Sequence, residues 1–222
     1  MNKQGPGKIS WTDYTWSPVT GCLRGCDYCC ARRTYERFGV SFEPTLHEKR
    51  LNEVFRLQEP ARIFVCSVAD LFGPWVPSRW IEAVLGTVRN APQHTFQFLT
   101  KYPERYSEFP WPANAWVGAT ATDQTSMERA VAALVHVDAP VRFVSAEPLL
   151  EPIEADLSDL DWLIIGAMTG PGATPPEREW VTGLLDAADR AGVPVWLKEN
   201  LHWPGRIQYW PAGWSDVMRV TA

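Results

Sequence analysis

The sequence lacks any apolar run long enough to cross a membrane. Residues 162–167 form one of its longest apolar stretches, far short of the roughly 20 residues that a membrane-spanning helix needs. Residues 1–7 contain no apolar core of the kind found in secretory signals. We therefore expect a cytoplasmic protein with no membrane partner.

Basic residues are also scarce. The 222-residue chain has 21 lysines and arginines against 26 aspartates and glutamates, a net charge of -5. This balance argues against a surface that binds nucleic acid throughout, because phosphates are bound by clustered Lys and Arg. It leaves room for a local basic pocket. The 12 tryptophans could stack on bases, but large aromatic side chains more often fill a core, and we expect core positions for most of them.

The metal-binding and disulfide patterns of other protein classes are missing. The four histidines have no mutual spacing that suits a metal site. Four of the five cysteines lie between Cys22 and Cys30, whereas a secreted disulfide framework would spread them along the chain. This crowding indicates metal or redox chemistry.

Short apolar runs of strand length alternate with helical segments and predict an α/β fold. The strand candidates are residues 16–21, 61–67, 94–100, 115–119, 141–145, 161–166 and 193–197. Helices are predicted over residues 31–38, 78–90, 126–135 and 176–191, the last ended by Gly192. We expect one domain over residues 1–222: a partial, open TIM-type barrel of about six or seven parallel strands with outer helices. A doubly wound sheet fits the same alternation.

Polar residues follow the predicted strands, at the edge where a barrel carries its active site. They are Ser67, Asp70, Lys101, Thr120, Thr122, Glu147, Lys198 and Glu199. Glu147 shares a strand face with Ser145, so its carboxylate is expected to point towards the barrel mouth. We therefore expect Glu147 and Lys198 to act on substrate. An ion pair of Glu147 with Lys198 or Arg142 is the structural alternative.

Cys22, Cys26 and Cys29 form a Cys-x3-Cys-x2-Cys motif after the first strand candidate. Thiolates suit iron-sulfur clusters, and three of them can hold three corners of a 4Fe-4S cube. The fourth iron would then be open to the amino and carboxylate groups of S-adenosylmethionine (SAM). A zinc site with Cys30 or Cys66 as fourth ligand is the alternative, but zinc normally takes two separated ligand pairs, and a second pair is missing.

This motif, with Tyr28 just before its last cysteine, resembles the signature of the radical SAM superfamily. Residues 9–22, 98–105, 145–150 and 161–166 also look like a phage-associated and bacterial radical SAM-like family of uncertain activity, and the chain is distantly similar to spore photoproduct lyase. Two departures stand out: Cys30 replaces an expected tyrosine, and residues 166–170 replace a Gly-Gly-Glu-Ser-Gly-like turn.

The resemblance implies a radical SAM enzyme with a 4Fe-4S cluster and SAM as cofactors. It implies that Ser67 and Asp70 meet the SAM amino group, that Lys101 meets its carboxylate and Thr120 its ribose, and that Tyr28 lies beside the cofactor. The implied partners are a one-electron reductant of the flavodoxin or ferredoxin type and a substrate that is a small molecule, nucleotide or nucleic acid. A non-enzymatic, zinc-stabilised binding module is the rival interpretation.

Overall fold

A computed structural model describes residues 1–5 and 7–211. Its strands are β1 (Asn2–Lys3), β2 (Tyr14–Trp16), β3 (Val19–Thr20), β4 (Thr45–Leu46), β5 (Arg62–Val65), β6 (Thr95–Thr100), β7 (Ala115–Ala121), β8 (Val141–Ala146), β9 (Trp162–Ile165) and β10 (Val195–Leu197). Its α-helices are α1 (Cys30–Arg37), α2 (Glu48–Leu51), α3 (Ser78–Arg89), α4 (Gln124–Leu134) and α5 (Arg178–Ala191), with 3-10 turns at Val54–Arg56, Pro103–Glu108 and Glu199–Leu201.

Eight strands form one open sheet in the order β1-β2-β5-β6-β7-β8-β9-β10. Only β1 runs antiparallel to its neighbour, and the other seven strands are parallel. The expected α/β architecture, with about six or seven parallel strands and outer helices, is therefore confirmed. Each of the four predicted helices is present, with both ends within two residues of the prediction.

The first strand differs from the prediction of a single strand over residues 16–21. β2 ends at Trp16. Val19 and Thr20 leave the main sheet and pair with Leu46 and Thr45 in a small two-stranded antiparallel sheet. Pro18 explains the break, because proline has no N–H to donate to a sheet ladder. This two-stranded sheet brings together the two ends of the segment 21–44, which contains the motif cysteines.

The two faces of the sheet are covered differently. One face packs on α3, α4 and α5 through side chains such as Val84, Met127 and Leu184, which are completely buried. The concave face holds a cluster, called here the aromatic cluster, formed by Trp11, Phe64, Trp116, Phe143, Trp162 and Trp196 together with Val141 and Ile164. Because side chains alternate between faces along a strand, each inward position of this cluster is followed two residues later by another inward position.

The aromatic cluster fills the N-terminal half of the barrel interior. Trp11 lies 4.7 Å from Phe64, and Trp162 lies 5.6 Å from Phe143, between ring centroids. Gly118 makes room for the Phe143 ring, since a Cβ at position 118 would lie 2.4 Å from its Cζ atom. The expectation that tryptophans occupy core positions is confirmed at Trp16, Trp162 and their neighbours. The cavity described below lies on the other side of this cluster, towards the C-terminal ends of the strands.

No helix in the described part of the chain is both long and apolar enough to traverse a bilayer.

Candidate functional site

A cavity of about 240 Å³ opens at the C-terminal ends of the parallel strands. Its walls contain every residue with a predicted role in binding or catalysis except Lys198: Cys22, Cys26, Tyr28, Cys29, Ser67, Asp70, Lys101, Thr120 and Glu147. Thr122 and Glu199, also expected at this edge, do not line the cavity. Phe64 and Leu99 form its apolar floor, and Met168 and Thr169 close the side formed by the loop after β9. The cavity thus lies at the edge where the parallel strands of a barrel present functional groups.

Strand periodicity explains why these polar groups face the cavity. Thr120 follows Gly118 by two residues on β7 and is paired in register with Ser145 of β8. Thr120 is therefore the next inward position above the aromatic cluster. Lys198 follows Trp196 of this cluster by two residues but does not itself line the cavity.

The cysteine loop is attached to the barrel at its first residue. Gly21 has φ = +85°, and a Cβ there would lie 2.3 Å from the carbonyl oxygen of Glu43, so a side chain is excluded. The Gly21 N–H donates to Val68 O at 3.1 Å, and the Cys22 N–H donates to Phe42 O at 3.1 Å. These bonds hold Cys22 directly above the end of β5.

The third cysteine of the motif begins α1. The Cys29 thiol caps the helix by accepting the Arg32 N–H at 3.3 Å. Arg32 in turn donates from Nη2 to Cys22 O at 2.6 Å, and its guanidinium carbon lies 5.1 Å from the Phe42 ring centroid. One arginine therefore connects the first and third cysteines of the motif.

The thiols differ in exposure. Cys22, Cys26 and Cys29 are half-buried, Cys30 is exposed and Cys66 is buried. Burial raises the pKa of Cys22, and it raises the pKa of Cys66 to about 12. Cys66 is therefore held as a neutral thiol, as expected of a cysteine that packs in the core.

The donor set fits an iron-sulfur cube by its chemistry. Among residues 1–5 and 7–211, no three His, Cys, Asp or Glu side chains form a group that could hold a metal ion. In a 4Fe-4S site each thiolate binds a different iron, so its cysteines surround a cavity instead of converging on one point. Cys22, Cys26 and Cys29 line one cavity from the same loop, as such a site requires, and Cys30 and Cys66 line it as well.

Asp70 ties the ends of two strands together. Its Oδ1 accepts the Thr100 hydroxyl and the Phe72 N–H, and its Oδ2 accepts the Lys101 N–H at 2.9 Å. Burial raises the pKa of its carboxyl group, against the lowering effect of these hydrogen bonds. Three protein donors thus already occupy the carboxylate that the resemblance assigned to the SAM amino group.

Tyr28 and Lys101 lie side by side in the cavity wall. The Lys101 ammonium is 5.8 Å from the centroid of the Tyr28 ring. Burial raises the pKa of the Tyr28 hydroxyl above its usual value, so this residue stays neutral. Thr120, with 8% of its surface exposed, presents its hydroxyl on the next strand.

Glu147 and Lys198 form an ion pair at the opposite side of the cavity. Their side chains are 23% and 17% exposed, so both groups are largely withdrawn from water. Gly166 lies against the pair: a Cβ there would be 2.9 Å from Lys198 Cδ and 3.1 Å from Glu147 Cδ. The structural alternative considered for Glu147, an ion pair with Lys198, is present, whereas Arg142 pairs with Asp161.

Comparison with known proteins supplies the family. A family model described as "Protein of unknown function (DUF5131)" matches residues 6–210. The chain belongs to this family. No curated protein matches it.

Two solved structures share the fold of this DUF5131 chain. A cysteine-to-alanine mutant of spore photoproduct lyase aligns with a TM-score of 0.52 and 13% identity, over 88% of this chain and 79% of that one. A double mutant of the same lyase, with bound AdoMet and dinucleoside spore photoproduct, aligns with a TM-score of 0.51 and 12% identity over 84% of this chain. The DUF5131 chain spans only 64% of that second chain. At such identities the likeness establishes the α/β fold and nothing finer.

Sequence reasoning missed three residues of this DUF5131 site. Arg24, between two cysteines of the motif, lines the cavity, and its position there was a signal that could have been used. Gly166 opens the turn over residues 166–170, but nothing in the sequence indicated its contact with Glu147 and Lys198, and Asn200 had no signal. Asn200 braces the loop after β9 by exchanging hydrogen bonds with the backbone of Ala167, a contact between residues far apart in sequence.

Proposed function

We propose that this chain is a radical SAM enzyme in which Cys22, Cys26 and Cys29 hold a 4Fe-4S cluster. When bound, the cluster would supply the electron that cleaves SAM to methionine and a 5′-deoxyadenosyl radical, which then abstracts hydrogen from a substrate. The observation that carries the proposal is the position of the three motif cysteines, which share one cavity with polar strand-end groups. The fold shared with spore photoproduct lyase, a radical SAM enzyme, supports it.

The cavity offers suitable groups for SAM. Lys101 would meet the carboxylate, because its ammonium has no carboxylate partner among the described ion pairs. Thr120 would meet the ribose, with Tyr28 beside the cofactor. Ser67 would accept from the amino group, and Asp70 would act there mainly by fixing the Lys101 backbone through its 2.9 Å hydrogen bond.

Glu147 and Lys198 would act on the substrate. The ion pair uses Oε1 of Glu147, which leaves Oε2 to accept a hydrogen bond from a substrate N–H or O–H group. Lys198 would fix the orientation of this carboxylate. The apolar floor formed by Phe64 and Leu99 would keep water from the reacting atoms.

The proposal includes the remaining expectations from the sequence. The enzyme would function as one cytoplasmic domain and take single electrons from a flavodoxin or ferredoxin type of partner. Its substrate would be a nucleobase, nucleotide or nucleic acid, or another small molecule. The dinucleoside ligand in the spore photoproduct lyase structure favours the nucleotide class.

The decisive experiment is anaerobic reconstitution with iron and sulfide, followed by iron analysis and an assay for 5′-deoxyadenosine from SAM under reducing conditions. The wild-type protein should be brown, bind about four irons and form 5′-deoxyadenosine. Cys26→Ala should lose the cluster. Cys30→Ala is the matched control from the same loop and should keep it. A colourless zinc protein would contradict the proposal and favour the zinc-stabilised binding module. Full iron loading of Cys26→Ala would contradict the assignment of the cluster to the three motif cysteines.

A further inference from the structure

Two basic side chains in the cavity wall take part in none of the described ion pairs. The described ion pairs of the chain use Arg62, Arg105, Arg129, Arg142, Lys198 and the N-terminus, and include neither Arg24 nor Lys101. The Arg24 guanidinium lies over the Tyr102 ring, 5.0 Å from its centroid, and Lys101 lies over Tyr28. Contacts with aromatic faces hold a cation in place without neutralising it.

The nearest acidic groups are already engaged. Asp123 is an electrostatic neighbour of Arg24, but its Oδ1 accepts the Ser126 N–H and its Oδ2 accepts the Thr122 hydroxyl, both at 2.8 Å. Asp70 accepts three hydrogen bonds, as described above. Asp70 attracts Lys101 and Asp123 attracts Arg24 electrostatically, but neither carboxylate forms a described ion pair with these cations, which both line the cavity.

Arg24, Lys101 and Thr120 all line both the main cavity and a side pocket next to it. The side pocket measures about 10 Å³, which is room for at most a single water molecule. An anion bound by either Arg24 or Lys101 must therefore lie on the side of the main cavity, within the volume proposed to hold SAM and substrate.

We propose that Arg24 binds the phosphate group of a nucleotide substrate, next to Lys101, which meets the SAM carboxylate. This inference rests on the proposed function and narrows its substrate from a free base to a phosphorylated one. SAM brings one carboxylate to the mouth, so a second unpaired cation matches a second oxyanion. A guanidinium suits this role because it can donate two parallel hydrogen bonds to a phosphate.

The negative net charge of the chain restricts where a phosphate can bind. With a net charge of -5, the chain repels phosphates at long range, so a phosphorylated substrate needs a local cation at the site. Unpaired arginine at the mouth of the cavity supplies that local charge.

The test compares nucleoside 5′-monophosphates with the corresponding nucleosides by anaerobic calorimetric titration of the reconstituted protein. Wild-type protein should bind at least one monophosphate more tightly than its nucleoside. Arg24→Gln should weaken that monophosphate about 10- to 100-fold and leave the nucleoside unchanged, and Arg24→Lys should restore part of the loss. Arg37→Gln is the control, because Arg37 is an exposed arginine on α1 outside the cavity.

Three results would overturn the inference: no preference for monophosphates in the wild-type protein, an equal loss in Arg37→Gln, or no loss in Arg24→Gln. A fourth, weaker SAM binding in Arg24→Gln with monophosphate binding unchanged, would assign Arg24 to the SAM carboxylate instead. Iron content and SAM cleavage are measured on the same samples. If the protein holds no iron or does not cleave SAM, while monophosphate binding behaves as expected, the proposed function is wrong and the phosphate site stands.

Discussion

At the scale of single residues, position on a strand was predictable and partners across strands were not. Thr120 lines the cavity as expected, because alternation along β7 fixes which face it occupies, and Lys101 and Glu147 line it from just beyond the ends of β6 and β8. The hydrogen bonds of Asp70 were not foreseen, since they come from Thr100 and Lys101, 30 and 31 residues further along the chain. The roles of Asp70, Lys101 and Thr120 in binding SAM remain predictions.

Glu147→Gln tests the substrate role of the ion pair. Glutamine keeps the shape of glutamate and removes its charge. We expect the variant to retain its iron and its SAM affinity and to form 5′-deoxyadenosine slowly without substrate, while nucleotides no longer stimulate that formation. Lost SAM affinity would place Glu147 in the SAM site. Normal stimulation by nucleotides would leave the pair with Lys198 as a purely structural contact.

Gly166→Ala tests how tightly the same pair is packed. The added methyl group would approach Lys198 Cδ to 2.9 Å and Glu147 Cδ to 3.1 Å, so both side chains must move. We expect a loss of about 1 to 3 kcal/mol in the free energy of unfolding, measured with urea. Gly183→Ala is the control: nothing lies within 4 Å of its Cβ on α5, and it should stabilise by about 0.5 to 1 kcal/mol. Equal free energies of unfolding for Gly166→Ala and Gly183→Ala would contradict the tight packing of Gly166 against the ion pair.

At the scale of elements, the sequence predicted the parallel strands and the long helices well. Their apolar periodicity and their end signals are local, as in α5, which ends at Gly192 with φ = +68°. The small two-stranded sheet of β3 and β4 and the helix α2 were missed, because each has fewer than five residues. They are held by contacts between residues far apart in sequence, such as the 2.7 Å hydrogen bond from His47 N to Pro18 O. Elements stabilised mainly by tertiary contacts leave little trace in local sequence patterns.

The N-terminus of α4 provides a test at this scale. Asp123 caps the helix in a capping box with Ser126. Burial alone would raise the pKa of Asp123, but hydrogen bonds from Ser126 and Thr122 lower it below its usual value of 3.8. A depressed carboxyl pKa contributes stability above the ordinary pKa, and this stability is lost as the pH falls through the folded-state pKa.

We therefore expect Asp123→Ala to destabilise the protein by about 1 kcal/mol at pH 7. The difference from wild type should shrink below pH 3.8 as the wild-type carboxylate becomes protonated. Asp123→Asn should lose much less at pH 7, because its side-chain oxygen still accepts the Ser126 N–H. Urea unfolding of the three proteins between pH 3 and pH 7 measures this, and a difference that grows on acidification would refute the assignment.

At the scale of the whole molecule, division of the concave face determines where chemistry can occur. The aromatic cluster closes one half of the interior, and the cysteine loop covers the other half without sealing it. The sequence predicted which residues line the cavity. It did not predict how the cysteine loop covers the cavity, because the loop is held by long-range hydrogen bonds such as Gly21 N to Val68 O. Ligands that bind the cavity therefore contact several strands and the loop at once, and should stabilise the entire fold.

Thermal unfolding with SAM measures this linkage. At a SAM concentration about 100 times its Kd, binding to the folded state alone adds about 2.7 kcal/mol. For a domain of this size that is a rise of roughly 5 to 11 °C in Tm. Lys101→Ala, if it binds SAM tenfold more weakly, should lose about 1.4 kcal/mol of this gain, or roughly half the rise. Cys30→Ala should match the reconstituted wild type. Cys26→Ala should show the smallest rise, because SAM would lose its attachment to the cluster, and an undiminished rise in that variant would show that SAM binds without the cluster.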